Sequence, residues 1–156
     1  MKRLYGAYGS NLNLKQMKVR CPNGKVYGKG VIKNYRLLFK GLPLNSYATI
    51  EPENGQEVPV LIWELEEEDE EALDFYEGYP RFYEKELIEV HLQTKEVIKV
   101  MVYIMTDNDE DRININTPSL RYLNSIKDGY LTSGFDLSYL DEAVSFSKLK
   151  GGKNNG

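Results

Sequence analysis

Apolar positions recur along this chain mostly in short runs broken by Gly, Pro, Asn and Asp, a pattern of strands and tight turns with a few helical stretches between them. Leu4 to Tyr8 reads as a first strand, and Leu14 to Val19 as a short helix stopped by the turn Cys21-Pro22-Asn23-Gly24. From Lys25 the pattern becomes β: Val26, Gly28, Gly30 and Ile32 alternate with polar positions, and glycines spaced through a strand predict a sharply bent sheet, as in a small barrel. Strand character continues through Tyr35–Phe39, breaks at Gly41-Leu42-Pro43 and resumes at Tyr47–Ile50. Pro52-Glu53-Asn54-Gly55 has the residues of a turn, and Val58–Leu65 is the most apolar run. Six consecutive acids, Glu66 to Glu71, predict a solvated first helical turn that complements the helix dipole. In that helix Ala72, Leu73 and Tyr76 are expected inward, with Gly78 as its stop. Arg81–Leu92 and Glu96–Met105 predict a hairpin about Gln93-Thr94-Lys95, followed by a polar loop from Asp107 to Asn116. Thr117-Pro118-Ser119 opens a helix expected to end at Asp128-Gly129-Tyr130, and Asp136 or Ser138 caps a last helix to Leu149. The pattern predicts one α+β domain over residues 1–149 and a disordered tail over 150–156.

Composition narrows the function classes. Hydrophobic residues make up 41% of 156 positions, enough for a real core. The net charge of −4 and the lack of a basic run argue against a nucleic-acid partner and suit a small-molecule ligand. No apolar run approaches membrane-spanning length and the N-terminus lacks the apolar segment of a signal peptide, so no membrane partner is expected and cytoplasm is the default location. The one cysteine, Cys21, and the one histidine, His91, make a soft-metal site or a Cys–His nucleophile a poor reading. Twelve tyrosines suit either a tyrosine-lined pocket or an ordinary β-rich core.

Two stretches carry candidate chemistry. Tyr5-Gly6-Ala7-Tyr8-Gly9-Ser10-Asn11-Leu12 runs from strand through a small polar turn toward a helix start. Such a junction leaves backbone N–H groups unpaired and pointing one way, a cradle for a carboxylate or an oxyanion. The second stretch is Leu73 to Tyr83. Leu73, Tyr76 and Glu77 share one helical face, so if Leu73 packs inward Glu77 does too. Burial, and a place at the negative end of the helix dipole, both raise a carboxylate's pKa toward neutrality, where it can take and return a proton. The bland alternative is a Glu paired structurally with Arg81 or a Tyr hydroxyl.

Taken together, Tyr8-Gly9-Ser10-Asn11-Leu12, Leu73-Asp74-Phe75-Tyr76-Glu77-Gly78 and Tyr83 resemble the γ-glutamylcyclotransferase-like family, including AIG2-like and γ-glutamylamine cyclotransferase-type proteins. Val58-Pro59-Val60-Leu61-Ile62-Trp63, Val102-Tyr103-Ile104-Met105, Pro118-Ser119-Leu120-Arg121-Tyr122 and Gly134-Phe135-Asp136-Leu137-Ser138-Tyr139-Leu140, similar to the family's closing helix, extend the likeness to about Leu149. The resemblance implies a small mixed β-barrel flanked by short helices. It also implies cyclisation of a γ-glutamyl amine, peptide or amide to 5-oxoproline with release of the free amine, without cofactor or metal. By the same resemblance Glu77 is the acid/base and Tyr8, Gly9, Ser10, Asn11 and Leu12 hold the glutamyl group. Tyr83 is expected to donate to substrate or to Glu77, and Tyr122 to serve mainly in packing. The alternative is a non-catalytic small-ligand-binding domain of the same fold; the leaving group and oligomeric state stay open.

Overall fold

In the computed structural model, which describes residues 2–154, five strands close into a barrel in the order β1-β3-β2-β4-β5. These are β1 Arg3–Ala7, β2 Lys25–Leu42, β3 Asn45–Leu65, β4 Tyr83–Leu92 and β5 Val97–Met105. The helices are α1 Leu14–Arg20, α2 Glu67–Glu77, α3 Leu120–Ser133 and α4 Ser138–Asn154, with 3-10 turns at Ser10–Leu12 and Glu110–Arg112. The barrel is mixed: β1 runs antiparallel to β3, with Tyr5 opposite Trp63, and parallel to β5, with Tyr5 opposite Met101. Ala7, Ile32, Ile50, Val60, Ile62, Val90 and Val102, all without solvent exposure, belong to a core that side chains fill. The apolar alternation of the strands therefore builds the mixed barrel that the sequence likeness implies.

Four local expectations change. Pro52 to Gly55 does not turn the chain. Pro52 pairs with Tyr35 and Glu57 with Lys33, so residues 53–56 lie as an extended bulge opposite Asn34 within one long strand. The Gly55 N–H donates to Asn34 Oδ1 at 3.1 Å, and both residues take the positive φ that Gly and Asn tolerate. In α2, Leu73 is buried as expected, but Ala72 is exposed and Tyr76 is half-exposed. Helix α3 does not end at Gly129 but continues to Ser133, and Gly134 in the left-handed conformation closes it. Helix α4 passes Leu149 into the expected tail and runs to Asn154, with Gly151 seated against Ile115 and Asn116; residues 155 and 156 lie outside the described residues.

Helix α2 is clamped to the barrel by polar contacts on its acidic face. Lys85 of β4 reaches Glu70 at 2.6 Å and Asp74 at 2.8 Å, Arg3 of β1 reaches Glu70 at 3.0 Å, and the Tyr103 hydroxyl donates to Asp74 Oδ1 at 2.6 Å. The Asp69 carboxylate accepts the Glu66 N–H at 3.2 Å and fixes the helix start. At the other end Gly78 adopts φ 68°, and a Cβ there would lie 2.4 Å from the Phe82 ring. The acidic run thus both begins the helix and ties it to β1, β4 and β5, which sets where its last residue, Glu77, projects.

Candidate active site

A cavity of about 360 Å³ opens where the end of β1, the 3-10 turn Ser10–Leu12 and the end of α2 meet. Seven of the chain's twelve tyrosines line it, so much of the tyrosine bias belongs to this pocket. Tyr8, Gly9, Ser10, Asn11, Glu77 and Tyr83 all reach it, from stretches separated by some seventy residues in the chain.

Gly9 forms part of the floor. A Cβ at this position would come 3.2 Å from Ala48 Cβ on β3, so a side chain here would have to push loop and strand apart by a few tenths of an ångström. The turn that follows is held by Leu12 N–H to Gly9 O and Asn13 N–H to Ser10 O, each 3.0 Å. Among the described residues the N–H groups of Ser10 and Asn11 have no acceptor in the chain. They are the free donors that the strand-to-helix junction predicts. Leu12 differs from expectation: it is fully buried, donates its N–H to Gly9 and does not line the cavity. It packs so tightly on α3 that a Cβ on Gly129 would stand 2.4 Å from Leu12 Cβ. This contact explains a glycine inside α3 and makes Leu12 the anchor of the loop.

Glu77 is held from the loop side. Asn11 Nδ2 donates to Glu77 Oε1 at 3.3 Å and to the Tyr5 hydroxyl at 2.8 Å. Arg20 of α1 fixes the orientation of that amide by donating to Asn11 Oδ1 at 2.6 Å, and it also donates to the Tyr76 hydroxyl at 2.7 Å while lying 3.6 Å over the Tyr76 ring. Burial pushes the Glu77 carboxyl up to about 7, against the opposing pull of Arg20, Arg112 and the Asn11 hydrogen bond. Neither Arg81 nor a tyrosine hydroxyl pairs with it; Arg81 lies over the Phe82 ring.

The tyrosines divide by what their protons do. Tyr83 does not donate to Glu77: its hydroxyl donates to Ala48 O at 2.7 Å. Tyr8 donates to Tyr103 O at 2.5 Å. In contrast, the Tyr5 hydroxyl accepts from Asn11 and the Tyr122 hydroxyl accepts from Ala48 N–H at 3.0 Å, which leaves each with a proton to give to a ligand. Burial first, and the nearby Glu77 carboxylate as well, hold all four phenols above the usual tyrosine range, so they act as neutral donors. Tyr122 thus combines packing, edge-on against Phe39 and Tyr47, with a free donor.

Cys21 is remote from this chemistry. It is buried, directs its thiol to Asp69 O at 3.5 Å, and burial pushes it up to about 12. From the sequence Tyr5 stands only as part of the loop stretch, Tyr103 only as part of the family likeness and Arg112 only as part of the polar loop, and Arg20 has no role at all. Arg112 arrives from the polar loop after β5 and stacks against Phe82 and Tyr47, with Cζ 4.3 and 4.8 Å from the ring centroids. A lone basic residue among Asp107, Asp109, Glu110 and Asp111 was the available signal.

A buried carboxyl poised near neutrality, unpaired backbone N–H groups and free phenol donors can orient an acyl compound, move a proton and stabilise an oxyanion. The model of the family described as gamma-glutamyl cyclotransferase, AIG2-like, matches residues 5–123, which contain every cavity residue named here. Among solved structures, a gamma-glutamyl cyclotransferase superposes with TM-score 0.78 at 26% identity, over 92% of this chain and 86% of that one. The human protein loc79017 does so with TM-score 0.78 at 25% identity, over 91% and 86%. A yeast cyclotransferase specific to glutathione shares the fold at 13% identity and TM-score 0.64, over 94% and 97%. No curated protein gives a significant sequence match.

Proposed function

The chain belongs to the gamma-glutamyl cyclotransferase, AIG2-like family, and from that membership we propose that it cyclises a γ-glutamyl amine, peptide or amide to 5-oxoproline, with Glu77 as the proton carrier. The observation that carries this reading is the Glu77 carboxyl, raised to about 7 by burial and lining one cavity with the Gly9–Asn11 turn, whose Asn11 donates to it.

The nucleophile belongs to the substrate, so the chain needs no nucleophilic side chain of its own. The glutamyl α-carboxylate lies in the cradle of the Ser10 and Asn11 N–H groups. Glu77 takes a proton from the α-ammonium, and the freed amine attacks the γ-carbonyl carbon to close the five-membered ring. The tetrahedral oxyanion accepts from the spare phenol protons of Tyr5 or Tyr122. Breaking the original γ-C–N bond returns the carbonyl. Glu77 delivers the protons removed from the attacking nitrogen, two in all, to the departing one. The ammonium nitrogen ends as a lactam N–H and the amide nitrogen leaves as an ammonium, so the proton count closes without another reactant. Holding amine and carbonyl within one pocket contributes up to roughly 7–11 kcal/mol in favourable cases, and the carboxylate adds about 10²–10⁴-fold.

The test is 5-oxoproline release from a panel of γ-glutamyl amines, amino acids and peptides. Wild type is expected to release it from at least one member, and folded Glu77→Gln to lose roughly 10²–10⁴-fold in kcat. Full activity in Glu77→Gln sinks the proton-carrier role. No release from any compound, with retained binding, favours a non-catalytic ligand-binding domain.

A further inference from the structure

Arg112 lines the cavity without a hydrogen-bonded counterion. Asp109 pairs with it at 4.0 Å from Nε, beyond hydrogen-bond reach, the Glu77 carboxyl feels its charge, and among the described residues none of its guanidinium N–H groups finds an acceptor. Its side chain is 21% exposed, so its donors open onto the cavity and solvent and a ligand can reach them. The rings of Phe82 and Tyr47, with centroids 4.3 and 4.8 Å from Cζ, limit where the guanidinium can sit without satisfying its donors. Arg20, the other arginine near Glu77, turns both of its terminal nitrogens to Asn11, Ser10 and Tyr76. A preorganised guanidinium fork with idle donors is built for a carboxylate.

One carboxylate of the substrate, that of the glutamyl group, is already placed in the loop cradle beside Asn11. Arg112 comes from a different wall, made by the loop after β5 with Tyr47 and Phe82. We propose that Arg112 receives a carboxylate carried by the leaving group, so that γ-glutamyl amino acids and peptides, rather than simple γ-glutamyl amines, are the substrates this site prefers. The proposal rests on the cyclotransferase reading of the site and assigns Arg112 as its specificity-determining residue.

γ-Glutamyl-alanine and γ-glutamyl-ethylamine differ in the leaving group by the carboxylate alone. Wild type is expected to favour the alanine compound in kcat/KM by roughly tenfold to a hundredfold, the scale of a charge-assisted hydrogen bond. Arg112→Met should erase the preference and Arg112→Lys should keep part of it. Loss of a cation near Glu77 moves both substrates alike and cancels in the ratio. Equal losses on both compounds in Arg112→Met, or no preference in wild type, overturn the proposal. Calorimetric binding of both compounds to Glu77→Gln, with and without Arg112→Met, separates it from the reaction. If wild type releases 5-oxoproline from no member of the γ-glutamyl panel but binding shows an Arg112-dependent preference for the alanine compound, the carboxylate site stands and the cyclotransferase reading falls. If binding shows no such preference, the carboxylate site falls.

Discussion

Arg112 lines the cavity and Arg20 stands behind its loop, yet Arg20 donates to Asn11 and Tyr76 whereas Arg112 meets ring faces and an acid 4.0 Å away, with no hydrogen bond from its guanidinium among the described residues. Around Arg20 the loop wall is satisfied: Asn11 gives to Tyr5 and Glu77 and accepts from Arg20. Around Arg112 the donors are idle. The difference teaches that equal charge near Glu77 need not mean equal work. A cation whose donors are used up positions its neighbours, while one whose donors are idle is available to a ligand. Both pull the Glu77 carboxyl down, yet burial still dominates.

The largest effect expected is the loss of turnover in Glu77→Gln, because the satisfied wall converges on that carboxyl. The same substitution gives a sharper reading without substrate. Glu77 sits near 7 folded and 4.5 in its ordinary state, so the folded protein binds the proton more tightly. Its contribution to stability is fully present below pH 4.5, falls as pH rises to about 7, and is flat above. The stability of Glu77→Gln minus that of wild type should therefore climb across this window, by at most about 3 kcal/mol. Urea unfolding of both proteins at several pH values measures it. A flat difference would mean that the carboxyl is not held in a desolvating wall.

Next comes a change that disturbs the loop wall without touching its polar groups. By helix propensity Gly129→Ala in α3 should stabilise by about 1 kcal/mol. Here the added Cβ would meet Leu12 Cβ at 2.4 Å and Leu12 C at 2.6 Å, and overpacking of that kind costs roughly 1–3 kcal/mol. We expect net destabilisation and weaker substrate binding. A raised Tm would show that α3 can yield without moving the loop.

These residues also show what the sequence made legible. Strand periodicity, spaced glycines and the Gly78 stop foretold most of the barrel and the helix bearing Glu77, because period and turn chemistry are local properties. Gly129 looked like a helix end for the same reason: locally it is a breaker, and only the contact with Leu12, 117 positions earlier by sequence number, explains it as packing. The Pro52–Gly55 segment misled likewise, since its turn residues serve a bulge fixed by Asn34 on the neighbouring strand. At the site, the residues of the two family-like stretches met as expected. The roles of Tyr83 and Leu12 shifted because hydrogen-bond partners such as Ala48 O and Gly9 O are set by three-dimensional packing. Arg20 and Arg112 carry no motif, and their roles rest on where α1 and the loop after β5 dock.

The smallest effect is the one that most directly tests the contrast between the two arginines. Arg20→Met removes a cation from the neighbourhood of Glu77 and frees the Asn11 amide to rotate. Loss of the cation should move the acidic limb of the kcat pH profile upward, because a negative carboxylate is then less favoured. Loss of the orienting bond to Asn11 Oδ1 should lower kcat by roughly tenfold, the scale of one charge-assisted hydrogen bond. Arg112→Met shares the upward shift of the limb but not the rest. In Arg20→Met the ratio of kcat/KM for γ-glutamyl-alanine over γ-glutamyl-ethylamine stays at its wild-type value, since Asn11 and Glu77 serve both substrates alike; in Arg112→Met that ratio collapses. If Arg20→Met changes the ratio as Arg112→Met does, the division between a positioning arginine and a ligand-binding one fails, and the two would have to be treated as one electropositive rim.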